Sequence, residues 1–326
     1  MKKYISLILA ALLALVSLTG CSTGNANGAG NDKIQIVTTI FPEYDWVMNV
    51  LGSNPGNAEV TIFLDNGVDL HSYQPSVDDI VKITSADLFI YVGGESDAWV
   101  EDVLKQKTNK DMVVINLMDV LGDSAKEEEV IEGMECEEEE EEEEGPEVEY
   151  DEHVWLSVKN AAMFVDEIEG AMENVDPANS SAYKNNADAY IAKLNELDSK
   201  YASAVSEANV KTVLFGDRFP FRYMVDDYGL SYYAAFVGCS TETQASFKTI
   251  TFLAEKVDEN SLKSVLTIEG TDHSIAETII QNTDSKDQKI LTMNSMQSVT
   301  SDDIKNGAAY LSIMESNLEV LKEALQ

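Results

Sequence analysis

One long amphipathic stretch, with strands and helices alternating on both sides of it, most restricts what this chain can become. Over about 180–208, Tyr183, Ala187, Tyr190, Ile191, Leu194, Leu197, Tyr201 and Val205 recur at spacings of three and four. That period puts them on one face of a single helix. Before it, apolar runs at 33–39, 60–64, 87–92 and 112–117 read as strands, and helical periods follow Pro42, Ser76, Trp99 and Ser157. After it, strands are predicted at 212–215, 232–236, 264–268 and 290–293, with helices over 221–228, 246–257, 275–281 and 301–325. Alternation at this spacing predicts parallel sheets covered on both faces. The expected fold class is therefore α/β: two lobes with mainly parallel sheets, 33–178 and 209–326, joined by one linker helix over 179–208. At 326 residues, 44% of them hydrophobic, the chain can fill a core in each lobe.

Open α/β sheets bind ligands beyond the carboxyl ends of their strands. Two facing sheets therefore predict a site between the lobes. The chain has only three histidines. His153 lies in Glu149-Tyr150-Asp151-Glu152-His153-Val154-Trp155-Leu156-Ser157, beside carboxylates and at the mouth of a helix. That setting presents imidazole nitrogen to a borderline metal such as Zn²⁺. It also reads as a helix-capping turn with an unrelated histidine. A second histidine, His71, lies in a loop of similar design, Asp69-Leu70-His71-Ser72-Tyr73-Gln74-Pro75-Ser76. His71, His153, Asp217 and Glu269 all fall just after predicted strands or at a helix start. They come from both halves, which is consistent with one interlobe metal site. His273, beside Asp272, reads either as a further ligand or as a surface histidine near a helix start. Trp155 is expected to pack behind His153.

Charge narrows the partners. The net charge of −37 repels nucleic acid and anionic lipid headgroups. It suits a protein that handles cations, although solubility alone also explains an acidic surface. Residues 125–152 carry 17 acidic side chains against the single Lys126, and 137–144 is an unbroken glutamate run. Such a block repels itself, so 122–148 is expected to be disordered. It reads as an auxiliary cation collector or as a solvated insert without a role. The only arginines are Arg218 and Arg222, which suggests specific pairing with carboxylates. Cys136 and Cys239 leave a disulfide open in an exported protein, and Cys136 also reads as a soft capture ligand. Glu242 reads as a site neighbour or as a carboxylate at a helix N-terminus.

The first twenty residues read as an export signal, with Lys2 and Lys3 ahead of an apolar run from Ile5 to Leu18. Leu18-Thr19-Gly20-Cys21 closely resembles a bacterial lipobox, which implies cleavage before Cys21 and lipid attachment to its thiol. The apolar run is short for a full membrane span. Residues 21–32 are small and polar after the cysteine, as in a flexible tether.

Taken together, Thr39-Ile40-Phe41-Pro42, the His71 loop, the 150–157 segment, Tyr228-Gly229-Leu230, Ile268-Glu269 with Ala276-Glu277-Thr278, and the 310–318 stretch carry a resemblance over essentially the whole mature chain. The chain resembles the metal-binding lipoproteins of bacterial zinc and manganese ABC transporters. The resemblance implies two α/β lobes bridged by one rigid helix, and a site of three histidines and one carboxylate. His71 and His153 match the first two histidines, and Glu269 matches the carboxylate. At the third histidine position this chain has Arg218, and the neighbouring Asp217 is the nearest ligand on offer. Glutamates stand where many relatives carry a histidine-rich loop. Both departures move the chemistry from nitrogen toward oxygen, so Mn²⁺ stands beside Zn²⁺ as the expected ion.

The function implied is an extracytoplasmic, lipid-anchored, monomeric binding protein that captures the metal and passes it to an ABC permease. A surface adhesin of the same fold is the alternative. A metalloenzyme is disfavoured, because His153-Val154-Trp155 is not a HExxH motif and no general base pairs obviously with a nucleophile. If Cys21 carries the anchor, Cys21→Ala releases the protein from the membrane fraction or blocks its processing. Normal cleavage with unchanged membrane retention contradicts this assignment.

Overall fold

The computed structural model describes residues 33–53, 57–134, 149–240 and 244–326. The predicted leader, the tether with Cys21, Cys136 and Glu242 lie outside these residues, as does the glutamate run.

In the first lobe, strands β1 (Ile34–Thr38), β2 (Ala58–Ile62), β3 (Leu88–Tyr91) and β4 (Val113–Asn116) form a parallel sheet in the order β2-β1-β3-β4. Helices α1 (Phe41–Leu51), α2 (Val77–Ser85), α3 (Trp99–Leu104), α4 (Leu117–Leu121) and α5 (Val158–Val175) connect and cover these strands. Local chemistry starts several of these helices. Ser76 caps α2 by accepting from the Asp79 amide, and Ser157 caps α5 by accepting from the Asn160 amide. Glu43 closes the entrance to α1 by accepting from the Thr39 and Ile40 amides. Burial pushes its carboxyl up to about 8, against those hydrogen bonds.

Helix α6 (Ser180–Glu207) is the linker, within a residue of its predicted end. Tyr183, Ala187, Tyr190, Leu194, Leu197, Tyr201 and Val205 are its buried face. Two of its tyrosines keep their hydroxyls satisfied across elements: Tyr190 donates to Asp45 of α1, and Tyr201 donates to the Met314 carbonyl.

The second lobe repeats the design. Strands β5 (Thr212–Phe219), β6 (Ser231–Val237), β7 (Ser264–Ile268) and β8 (Lys289–Met293) are parallel, in the order β6-β5-β7-β8. Helices α7 (Arg222–Tyr228), α8 (Phe247–Glu259), α9 (Ser274–Asn282), α10 (Ser301–Lys305) and α11 (Tyr310–Ala324) complete it.

Three expectations need correction. The helix predicted over 301–325 is two helices, because Gly307 takes φ +95° and Ala309 is extended. A left-handed turn of this kind ends one helix and re-aims the next. Strand β5 continues four residues beyond its predicted end, with a register shift between Phe215 and Arg218. The expected disorder of 122–148 does not hold for 122–134: Gly122–Ser124 is a 3₁₀ turn, and Glu127 bridges to Tyr150. This strap is tied to the second lobe by Lys126 with Asp226 and by Glu129 with Arg222.

The largest hydrophobic cluster does not stop at a lobe boundary. It runs from Ile36 and Trp46 through Trp155 and Tyr201 to Phe215, Tyr310 and Leu321. Tyr310 is fully buried, edge-on to Trp46, and its hydroxyl donates to the Trp155 carbonyl at 2.7 Å. Removing the hydroxyl leaves a buried carbonyl without its donor. Tyr310→Phe is therefore expected to lower the unfolding free energy by about 1–2 kcal/mol. Urea denaturation would register this as a lower midpoint with an unchanged slope.

Candidate metal centre

His71 is carried by a single 3₁₀ turn, Leu70–Ser72, whose start is capped by Asp69 accepting from the His71 amide. Leu70 is buried and anchors that turn in the core. His153 opens another 3₁₀ turn, Val154–Leu156, and is wholly inaccessible to solvent. Trp155 holds this second turn from behind. Its ring lies 5.3 Å from the imidazole, and its indole N–H donates to the Ser295 carbonyl.

The two imidazoles face each other with Nε2 atoms 3.3 Å apart. Each ring is held from its other nitrogen. His153 Nδ1 lies 3.1 Å from Asp151 Oδ1, which also accepts from the His153 amide. An ionised carboxylate only accepts, so the Nδ1 proton sits on His153 and Nε2 is bare. His71 Nδ1 is 2.7 Å from Ser96 Oγ and 3.5 Å from Glu152. Burial, followed by the neighbouring His153, drives the His71 imidazole down to about 4. Burial pushes His153 the same way, but the charge and hydrogen bond of Asp151 outweigh it and leave His153 above its ordinary value.

Two nitrogens bonded to one tetrahedral zinc at 2.0–2.1 Å stand about 3.3 Å apart. The observed separation is that edge. Among the described residues, the group with metal-ligand character is His71, His153 and Cys239, whose ligand atoms all lie within 4.8 Å of one another.

The other expected ligands are spent elsewhere. Asp217, nearly buried, accepts from the Arg218 amide, the Ile268 amide and the Thr271 hydroxyl. Glu269 accepts from the Ser295 amide and hydroxyl and from the Ser298 hydroxyl. The Ser295 oxygen in turn accepts from the Gln297 amide, and Gln297 Nε2 donates to His153 Nε2 at 2.9 Å. Glu269 thus reaches the centre through two intermediaries. His273, at φ +60°, lines a cleft of about 450 Å³ with Asp69, His71, Asp217, Arg218 and Asp272, but it is not in the ligand cluster.

A guanidinium cannot ligate a cation, so Arg218 must point away from a metal or pair with a carboxylate such as Asp217, Asp226 or Asp227. Its guanidinium instead crosses to the first lobe and donates to Asp69 at 3.0 Å. Among the described residues, Cys239 has no disulfide partner.

Gln297 escaped the sequence reading, and Cys239 was read there only as a disulfide candidate. Met296 at φ +64° aims Gln297, and no local motif announces that strained turn. Cys239 had a signal in the preceding Gly238: a Cβ there would sit 2.8 Å from His153 Cε1.

Two parallel-sheet lobes meeting over a buried, carboxylate-backed histidine pair define a two-lobed solute-binding fold with a candidate metal site. The comparisons agree. Over 325 residues the chain is 33% identical to the zinc-binding lipoprotein AdcA of Streptococcus pneumoniae, covering 98% of this chain and 61% of that protein. It is 29% identical to the high-affinity zinc uptake system protein ZnuA of Bacillus subtilis, covering 98% of this chain and 96% of that one. The crystal structure of the Zn(II)-bound ZnuA-like domain of the pneumococcal AdcA superposes with a TM-score of 0.70 at 29% identity, covering 90% of this chain and 99% of the domain. Residues 36–324 match the family described as zinc-uptake complex component A, periplasmic, and the chain belongs to that family. The chain spans about three-fifths of the length of the pneumococcal relative.

The geometry around His153 yields a direct test. Asp151→Asn keeps the shape but removes the charge that orients the ring. Loss of such outer support typically costs about 10- to 100-fold in metal affinity. Zinc titration against a competing chelator would measure the drop.

Proposed function

We propose that this chain captures Zn²⁺ outside the cytoplasmic membrane and hands it to the permease of an ABC importer. The observation that carries the reading is the 3.3 Å separation of the two Nε2 atoms, with each ring held from its Nδ1 side. Family membership and the zinc-binding relatives support zinc as the cargo. Mn²⁺ remains the rival ion, and imidazole favours zinc over it. The role is binding and delivery, not turnover. His71 and His153 are the central ligands of this proposal. Glu269 acts on His153 through Ser295 and Gln297, and Asp217 braces the strand ends.

The protein works as a monomer tethered through lipid on Cys21. The lipid tether is supported by the lipobox-like sequence and by the lipoprotein name of the pneumococcal relative. The acidic segment gathers cations loosely, as dense carboxylates do.

Calorimetric titration with zinc tests the central claim. His71→Ala and His153→Ala are each expected to abolish the tight site, while Asp217→Ala lowers affinity only slightly, since its carboxylate bonds backbone and a hydroxyl. Either histidine variant binding zinc as tightly as the parent protein overturns the assignment.

A further inference from the structure

We propose that Cys239 supplies the third zinc ligand, as a thiolate, from the second lobe. This inference rests on the histidine pair being the cargo site. Both histidines come from first-lobe turns, so a third ligand must approach from the opposite side. Strand β6 ends at Val237, directly before Gly238 and Cys239. Because Gly238 has no side chain, the chain passes against the His153 ring and brings Cys239 with it. Its Sγ lies within 4.8 Å of the ligand atoms of both imidazoles. One tetrahedral zinc with bonds of about 2.0–2.1 Å to nitrogen and 2.3 Å to sulfur requires about 3.6 Å between those atoms. The adjustment needed is therefore at most about 1.2 Å.

The surroundings of the sulfur suit this role. The Cys239 amide donates to Glu128 Oε1 at 3.3 Å, and the thiol also donates to that carboxylate. Glu128 belongs to the strap of 122–134, so the stem of the acidic segment orients the cysteine. Burial, then Glu128 and Asp151, hold the free thiol far above its usual range. A bound divalent ion reverses that preference, because a coordinating thiol is deprotonated outright. The Arg218 guanidinium, which cannot ligate a cation, is engaged with Asp69 and the Ser240 carbonyl. The net exchange at this site is nitrogen for sulfur rather than nitrogen for oxygen. Thiolate selects zinc against manganese, which prefers oxygen donors.

Zinc-edge X-ray absorption of the full chain, loaded with less than one equivalent of zinc, reads the ligand set without any mutation. One sulfur at about 2.3 Å beside nitrogen or oxygen at about 2.0 Å is expected. Cys239→Ser should lose the sulfur shell and weaken zinc binding by about tenfold or more, since losing a ligand costs at least what losing its support costs. Cys136→Ser should keep both. The same Cys239→Ser exchange should narrow the preference for zinc over manganese in a competition titration.

A first shell without sulfur in the parent protein overturns the inference, even if His71→Ala and His153→Ala abolish binding and the cargo site stands. So does a sulfur shell that survives Cys239→Ser, or a Cys136–Cys239 disulfide in zinc-loaded protein. Tight binding that persists in both histidine variants instead removes the cargo site itself, and this proposal with it.

Discussion

The centre depends on one buried pairing, the Asp151 carboxylate against His153. A fully buried imidazole carries two polar nitrogens that water cannot reach, and each needs a partner. Asp151 satisfies Nδ1 and the His153 amide with a single oxygen. Its own backbone is fixed in turn: its amide donates to the Lys126 carbonyl, and its carbonyl accepts from the Tyr223 hydroxyl. The same tyrosine oxygen accepts from the Lys126 amide. The strap, the His153 turn and helix α7 therefore meet at one phenol. Around this knot the apolar groups complete the support, with Trp155 anchored to Ser295 and Tyr310 anchored to Trp155.

Much of the fold was legible because it is written in local periodicity. The three-and-four spacing from Tyr183 to Val205 gave the linker helix within a residue of its observed end. Strand β7 was read with its observed bounds, since Ser264–Ile268 is a continuous buried run. The break at Gly307 was not foreseen, because a single glycine inside a helical window is tolerated and its left-handed φ is not visible in sequence. His71 and His153 were legible as a pair because a histidine among carboxylates at a helix mouth is a local pattern. Their meeting across 82 residues is a consequence of topology alone.

The rest of the centre was hidden for identifiable reasons. Asp217 looked available because strand β5 seemed to end at Phe215. The strand continues, and the carboxylate closes it against β7. Arg218 looked like an obstacle to a metal. Its reach to Asp69 depends on the spacing of the two lobes, which no sequence window records. The residues of 122–134 looked like the edge of a disordered block because charge density dominates their composition. Glu128 and Glu129 are ordered by specific partners, the Cys239 amide and Arg222. Composition measures an average, while a single buried contact decides a residue's place.

The continuity of the core across the lobes bears on how the two lobes can move. Two-lobed receptors commonly open about a hinge, and domains move freely unless their interface is large and hydrophobic. Here the interface is hydrophobic from Trp46 through Trp155 and Tyr310 to the second sheet. Swinging the lobes apart would expose that surface at roughly 25 cal/mol for every Å² uncovered. By contrast, the Arg218–Asp69 bridge is only partly shielded, and contacts of that kind are worth about 1 kcal/mol or less. The stiff part of the molecule lies beneath the histidines and the yielding part lies above them. On these magnitudes, displacing the His71 turn and the Arg218 bridge costs less than parting the lobes, as with a rigid cup that has a soft lip.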